Sequence, residues 1–385
     1  MIPYARQNID SNDIQAVMDV LTSDWLTQGP AIERFEKAVA AYCGTQYAVA
    51  VSNATSALHL AALALGLGPG DWLWTTPNTF VASANCALYC GAQVDFVDIN
   101  PRTYNMSVEA LTRKLNTASR KGRLPKVVVP VHFAGQSCEM ALIADLAEEY
   151  GFRVIEDAAH AIGGSYRDYP IGSCRYSAIT VFSFHPVKII TTGEGGMLLT
   201  NDAGLYRRLS RMRSHGIVRT TELIESVGAW SYQQIDLGYN YRMTDIQAAL
   251  GYSQLQRIEE FLARRRFLAS RYGRLLQGSP LELPWQHPDT NSAWHLYVVR
   301  LKLAELQKSR REIFDELRSL GIQVHVHYIP VYRQPYYRRL DFKKGLCPQA
   351  EQYYEAALTL PLHYGLTDAE QEYVAARLRE VLGCC

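Results

Sequence analysis

With 385 residues, 48% of them hydrophobic and 20% charged, the chain can bury the core of two domains and has the make-up of a soluble globular protein. Its 39 Lys and Arg balance 38 Asp and Glu, which argues against a nucleic-acid or membrane-surface role carried by bulk charge, though a local basic pocket for a phosphate stays possible. Eight scattered cysteines form no C-x-x-C pair or zinc-spaced cluster, the polar start has no signal core, and the longest apolar region (57–67, containing His59) is too short to span a bilayer, so a cytoplasmic location is expected.

Apolar residues at helical spacing predict helices over 11–21 and 32–42. An alternation follows: strand 47–51, helix 56–65, strand 72–75, helix 81–89, strands 94–97 and 127–131, helix 140–150 and strand 152–156. Repeated strand–helix units imply an α/β fold, with a mostly parallel sheet covered by helices on both faces. Ligands of such sheets sit outside the carboxyl ends of the strands. From about Gly251 the texture changes to a long basic amphipathic helix (253–276), a segment rich in proline (Pro280, Pro284, Pro288) and a smaller α+β portion with strands near 296–301 and 323–327. The boundary is placed near 250, giving a large domain of residues 1–250 and a small domain of 251–385. Arg264-Arg265-Arg266 reads as the solvated face of the long helix, and Cys384-Cys385 as a frayed tail.

Three sites along this framework carry chemistry. After the first strand, Ser52-Asn53-Ala54-Thr55-Ser56 opens a helix with small hydroxylated residues. Free backbone N–H groups plus hydroxyls at a helix start can cradle a phosphate, and the same residues cap helices; the two uses can coexist. Asp157 ends a buried strand, and Lys188 follows the apolar run Thr180-Val181-Phe182 and precedes a Gly-rich turn. A lone lysine is ordinarily a surface residue, but a strand-end Asp and a strand-end Lys beside an anion cradle are what pyridoxal phosphate needs. The amine forms a Schiff base and the carboxylate keeps the pyridine nitrogen protonated. Phe80 follows Pro77-Asn78-Thr79 at the end of a strand, where an aromatic can cover a planar ring or serve as plain core. His325 and His327 share one side of a strand, but no third ligand at sensible spacing supports a metal, so substrate contact or packing is expected.

Over essentially its full length the chain resembles the sugar aminotransferases of the DegT/DnrJ/EryC1/StrS type. The resemblance rests on Ser52 to Ala57, Glu156-Asp157-Ala158-Ala159-His160-Ala161, Phe182 to Lys188, Gly193-Glu194-Gly195-Gly196 and Leu237 to Met243. It implies a fold-type I enzyme with a mostly parallel seven-stranded sheet and a smaller α+β C-terminal domain. Within the family, Ile2-Pro3-Tyr4, residues 24–29, Arg213 to Gly216 and residues 325–328 look most like the branch that uses L-glutamate to aminate a UDP-linked 4-keto-6-deoxy N-acetylated hexose in pseudaminic acid biosynthesis. By that resemblance Lys188 binds the cofactor covalently and moves the proton, Asp157 pairs with the pyridine nitrogen, and His160 lies near the phenolic oxygen. Ala54, Thr55, Ser56 and Ser183 hold the phosphate, assisted by Asn240 of a second subunit in a homodimer with shared sites. Tyr4, Asp24, Trp25, Leu26, Thr27, His185, Val326, His327, Tyr328 and Ile329 surround the nucleotide sugar, joined by Ala54, Ser183 and Asn240. Relatives with histidine in place of the lysine are dehydratases, a branch that Lys188 excludes. Another nucleotide 4-keto sugar (UDP-4-keto-arabinose, or a GDP- or dTDP-linked one) and a non-catalytic regulator on the same fold are the alternatives.

Overall fold

Tyr47–Val51 is apolar almost throughout, as a strand covered on both faces must be. In the computed structural model, which describes residues 1–384 and so leaves the last residue of the expected Cys384-Cys385 tail outside the described residues, this run is β1 (Tyr47–Val51). It joins β2 (Trp72–Thr75), β3 (Gln93–Phe96), β4 (Val127–Val129), β5 (Arg153–Asp157), β6 (Ile179–Ser183) and β7 (Gly196–Thr200) in one seven-stranded sheet of order β1-β7-β6-β5-β4-β2-β3. Pairs among β3, β2, β4, β5 and β6 are parallel, whereas β7 runs antiparallel to both β1 and β6. The strand–helix alternation does not predict β7. It follows the turn at 193–196 without an intervening helix, so it can only return antiparallel beside β6.

The period of two along each strand sorts side chains between the faces. Val49 and Val51 enter one core with α3 (Ala54–Ala64) and α4 (Ala82–Tyr89), while Ala48 and Ala50 enter another with α2 (Pro30–Cys43). On that second face, Trp74, Val128 and Val154 pack under α5 (Val108–Arg120) and α6 (Met140–Tyr150). A further core joins the strands β8 (Leu281–Glu282), β9 (Tyr297–Leu301) and β10 (Ala357–Leu360) with helices Arg310–Ser319 and Asp368–Val381. Ile2 packs partly against this core and bonds through its backbone to Gly321 and Gln323, so the first residues are tied to the last third of the chain.

Three expectations need correction. The helix expected over 253–276 is two helices, Asp245–Gln256 and Ile258–Leu275, with Arg257 between them at φ −108° and ψ 10°. The first starts early because Thr244 and Gln247 form a capping box. At the break, Arg257 bonds to Asp13 at 2.6 Å and to Asp10 at 3.2 Å. No regular strand spans 323–327, where pairing reduces to single bridges from Ile322 to Ile2 and from His325 to Thr359. The third correction concerns Arg264-Arg265-Arg266, which is not a solvated face. Ile258, Phe261, Leu262, Leu268, Ala269 and Tyr272 form the buried stripe of this helix at i, i+3, i+4 spacing, and position 265 falls on that stripe. Arg265 is 2% exposed and donates through Nη1 to the carbonyls of Trp294 (3.2 Å), His295 (3.3 Å) and Leu362 (3.0 Å). Arg264 reaches Leu366 and Asp368, and Arg266 reaches Gly163. Arg265→Leu should therefore destabilise the protein by about 2–4 kcal/mol, since three buried carbonyls lose their donor; urea denaturation would measure it.

Candidate active site

The carboxyl ends of β1, β5 and β6 open on one cavity of about 1040 Å³. At one wall stands the start of α3. Asn53 caps it, accepting from Ser56 N at 2.8 Å and from Ser56 Oγ at 3.0 Å. Capping thus occupies Ser56 and leaves the first N–H groups, those of Ala54 and Thr55, open as at any helix start. Thr55 and Ser183 bring further hydroxyls to the same cavity. Their proximity depends on Gly196, which pairs with Ser183 in β6 and with Val51 in β1.

Asp157, the last residue of β5, is 5% exposed. Its Oδ2 accepts from Ser83 Oγ at 2.6 Å and its Oδ1 from Ala159 N at 3.1 Å. Thr79 Oγ1 lies 2.7 Å from Ser83 Oγ, so a short chain of hydroxyls on and before α4 orients the carboxylate. Sequence reasoning stopped at Phe80 and missed Ser83, although Ser83 lies one helical turn further on. The neighbouring Glu156 faces away and meets the fully buried His132 at 2.7 Å. Burial alone would raise Glu156, but hydrogen bonds from His132, Ser177 and Thr180 outweigh it and hold its carboxyl low. This pair pins the end of β5 from below.

Lys188 follows β6 in a turn closed by Lys188 N donating to His185 O at 2.9 Å. Its amine reaches the cavity, and dense surroundings on the other sides push it down to about 8, with Asp157 opposing that shift. Asp157 spends its oxygens on Ser83 and Ala159 instead of on the lysine. His160, buried beside them, accepts at Nδ1 from Ala134 N (3.3 Å), which leaves Nε2–H to donate to the Tyr328 hydroxyl at 3.3 Å. Burial, then Lys188 and His327, keep His160 neutral. His327 is likewise held low, to about 3, chiefly by burial, and its Nδ1 bonds to Thr359 Oγ1 at 2.9 Å.

Most expected site residues meet here: Ala54, Thr55, Ser56, Ser183, Asp157, His160 and Lys188, with Phe80, Tyr4, His185, His327 and Tyr328 around them. Phe80 is 60% exposed at the cavity edge, a ring face free to cover a planar ligand. Asp24, Trp25, Leu26 and Thr27 are exposed and do not line this chain's cavity, nor do Asn240, Val326 and Ile329. The cavity also gathers Tyr239 and Tyr241, from the 237–243 motif but without an expected role, and His59 and His295, to which the sequence assigns none. Pyridoxal phosphate fits these residues. An open helix start with hydroxyls suits its phosphate, an oriented carboxylate suits its ring nitrogen, and an amine held near pH 8 suits its aldehyde.

The sequence profile of the DegT/DnrJ/EryC1/StrS aminotransferase family matches residues 7–379. The chain is 38% identical over 385 residues to "Spore coat polysaccharide biosynthesis protein SpsC" of Bacillus subtilis, covering 99% of this chain and 97% of that one. It is 37% identical over 383 residues to the "UDP-4-amino-4,6-dideoxy-N-acetyl-beta-L-altrosamine transaminase" of Campylobacter jejuni, covering 99% and 98%. Among solved structures, the PMP-form of the putative sugar aminotransferase Spr1654 from Streptococcus pneumoniae superposes with a TM-score of 0.91 at 30% identity, covering 100% of this chain and 99% of that one.

Proposed function

The chain belongs to the DegT/DnrJ/EryC1/StrS aminotransferase family and is a pyridoxal-phosphate enzyme, and from that premise we propose that it moves the amino group of L-glutamate to C4 of a UDP-linked 4-keto-6-deoxy N-acetylated hexose. The substrate is UDP-2-acetamido-2,6-dideoxy-beta-L-arabino-hex-4-ulose, and the products are UDP-4-amino-4,6-dideoxy-beta-L-AltNAc and 2-oxoglutarate. The step belongs to pseudaminic acid biosynthesis in the cytoplasm, ahead of flagellar or surface glycosylation. What carries this reading is the full-length likeness to the Campylobacter transaminase.

In this reading the bound cofactor supplies an electron sink for the charge left when a C–H bond is broken. Ala54, Thr55 and Ser183 hold its phosphate, joined by Ser56 once its hydroxyl turns from Asn53 Oδ1, while Asp157 holds its ring nitrogen and His160 the neighbourhood of its phenolic oxygen. The Lys188 amine, neutral above about pH 8, takes the α-proton of glutamate in one half-reaction and delivers a proton to the sugar C4 in the other. Tyr328, whose oxygen already accepts from His160, keeps its own O–H for the sugar. The sugar nucleotide is bounded by Tyr4, His185, His327 and Tyr328. Two copies share their sites: Asn240, exposed and outside its own cavity, serves the partner's phosphate site. The exposed apolar residues Trp230 (78%) and Leu237 (79%) on the arm before it support such pairing.

The likeness to the spore-coat protein, 38% against 37% for the transaminase, favours, as a second reading, a different nucleotide 4-keto sugar. Mass spectrometry of the products from the named keto sugar, its non-epimerised isomer, UDP-4-keto-arabinose and GDP- and dTDP-linked ketosugars would decide. Amination of the named sugar at least about 10-fold faster than the others is expected, a preference that hydrogen-bonded hydroxyls can supply. A stronger preference for any other sugar removes the substrate assignment. A yellow protein indifferent to every amino donor would instead be a regulator.

A further inference from the structure

Two buried imidazoles of the cavity have no task in this scheme; His59 bonds through Nδ1 to the Tyr241 hydroxyl at 3.2 Å and packs against Tyr89 and Tyr239, whereas His295 has neither ring nitrogen bonded. His295 sits two residues before β9, is 2% exposed, and lines the cavity with its ring centroid 4.4 Å from that of His160. Its Nδ1 is fully buried without a partner, so the tautomer that leaves only a lone pair unpaired there carries the proton on Nε2. Nε2 bonds to no protein group either and is not enclosed, so its N–H opens on the cavity.

The other imidazoles near Lys188 are committed. His160 uses both nitrogens, His327 bonds to Thr359, and His325 is exposed with Nδ1 accepting from Val326 N at 2.8 Å. His295 is also held firmly in place. Its backbone N–H donates to Ala134 O at 2.9 Å, and Trp294 before it takes the left-handed φ of 50°. A Cβ on Gly135 would lie 2.8 Å from Trp294 N and 3.0 Å from His295 N, which shows how closely the two segments interlock. Behind the backbone of His295 lies the guanidinium of Arg265, buried, bonded to three carbonyls and paired with no carboxylate among the described residues. Such a charge favours an anion on the cavity side. No arginine of this chain lines the cavity among the described residues, and Lys188, whose amine is lowered to about 8, is engaged with the reacting carbon.

We propose that His295 is the amino-donor contact, its Nε2–H donating to the α-carboxylate of the donor amino acid while Arg265 fixes its backbone and supplies positive potential. This deepens the aminotransferase reading and rests on it. The nucleotide sugar has no α-carboxylate and needs no such contact.

Mixing the wild-type holoenzyme with L-glutamate and following cofactor absorbance reads the donor half-reaction alone; silence there would defeat the aminotransferase reading, not the role of His295. With the wild type responsive, His295→Phe should raise the half-saturating glutamate concentration by about 10- to 100-fold, the size of a lost hydrogen bond to a charged group. The keto-sugar half-reaction of the amino-loaded variant should change by less than about 3-fold. His295→Gln, which returns an N–H near the same place, should recover most of the loss. Equal saturation by glutamate in wild type and the Phe variant overturns the proposal, as does an equal loss in both half-reactions. If neither variant folds, a crystal of wild-type holoenzyme with 2-oxoglutarate decides. A carboxylate oxygen within about 3.2 Å of Nε2 supports the contact, and a carboxylate bound elsewhere overturns it.

Discussion

Lys188→Ala should lower transamination by at least about 10³-fold, because the chain loses its covalent anchor for the cofactor together with the amine that moves the proton in both half-reactions. Borohydride trapping followed by peptide mapping of the wild type should place the cofactor on position 188. The same lysine should weigh on the fold. Burial depresses its amine from 10.5 to about 8 despite the opposing pull of Asp157. Between those values the unfolded chain binds a proton that the folded chain does not. Stability contributed by this group therefore rises with pH across about 8 to 10.5, and the full penalty, about 3 kcal/mol at most, applies below pH 8. Lys188→Met should accordingly make the cofactor-free protein more stable than wild type at pH 7, by about 1–3 kcal/mol, with the gap closing towards pH 10.5. Urea melts of both proteins at pH 7 and 9.5 would show it. A gap that stays constant, or a Met variant less stable at pH 7, would mean that the amine is not strained.

The core of the site was readable because its parts lie where local rules place them. Asp157 ends the largely buried β5, Lys188 lies five residues past the buried β6, and the anion cradle follows β1 at a helix start, so sequence position and position on the sheet edge coincide. What escaped is held by contacts distant in the chain. Ser83 matters because it meets Asp157, 74 positions away, and nothing around Ser83 announces that. Arg265 reads as a surface residue until Leu362 and His295 close over it. His295 stands in an ordinary strand approach and becomes notable only beside His160. The break at Arg257 is of the same kind: no proline or glycine marks it, and its arginine answers to Asp10 and Asp13 at the other end of the sequence. The early start of that helix, by contrast, is legible in the spacing of Thr244 and Gln247.

Gly196→Ala should damage the fold and the cofactor site together. A Cβ there would lie 2.5 Å from the carbonyl carbon of Asn53, 2.6 Å from its oxygen and 2.7 Å from Ala54 N. All three are backbone atoms at the start of α3, so no rotamer change relieves the contact. Nor can β7 slide, because Gly196 is in register with Val51 on one side and Ser183 on the other. Either the sheet edge or the helix start must shift, at a cost of about 3–5 kcal/mol, beyond ordinary overpacking. The helix start is also where the phosphate would bind. Molecules that still fold should therefore release pyridoxal phosphate more readily than wild type, by about 10² in dissociation constant if two backbone donors are displaced. Gly193→Ala, in the same turn, meets nothing within 4 Å and costs only the strain of its φ of 78°, about 1 kcal/mol. Denaturation and cofactor titration of the two variants side by side separate the effects. If Gly196→Ala matched Gly193→Ala in both measurements, the close approach of β7 to α3, and with it the phosphate cradle, would have to be abandoned.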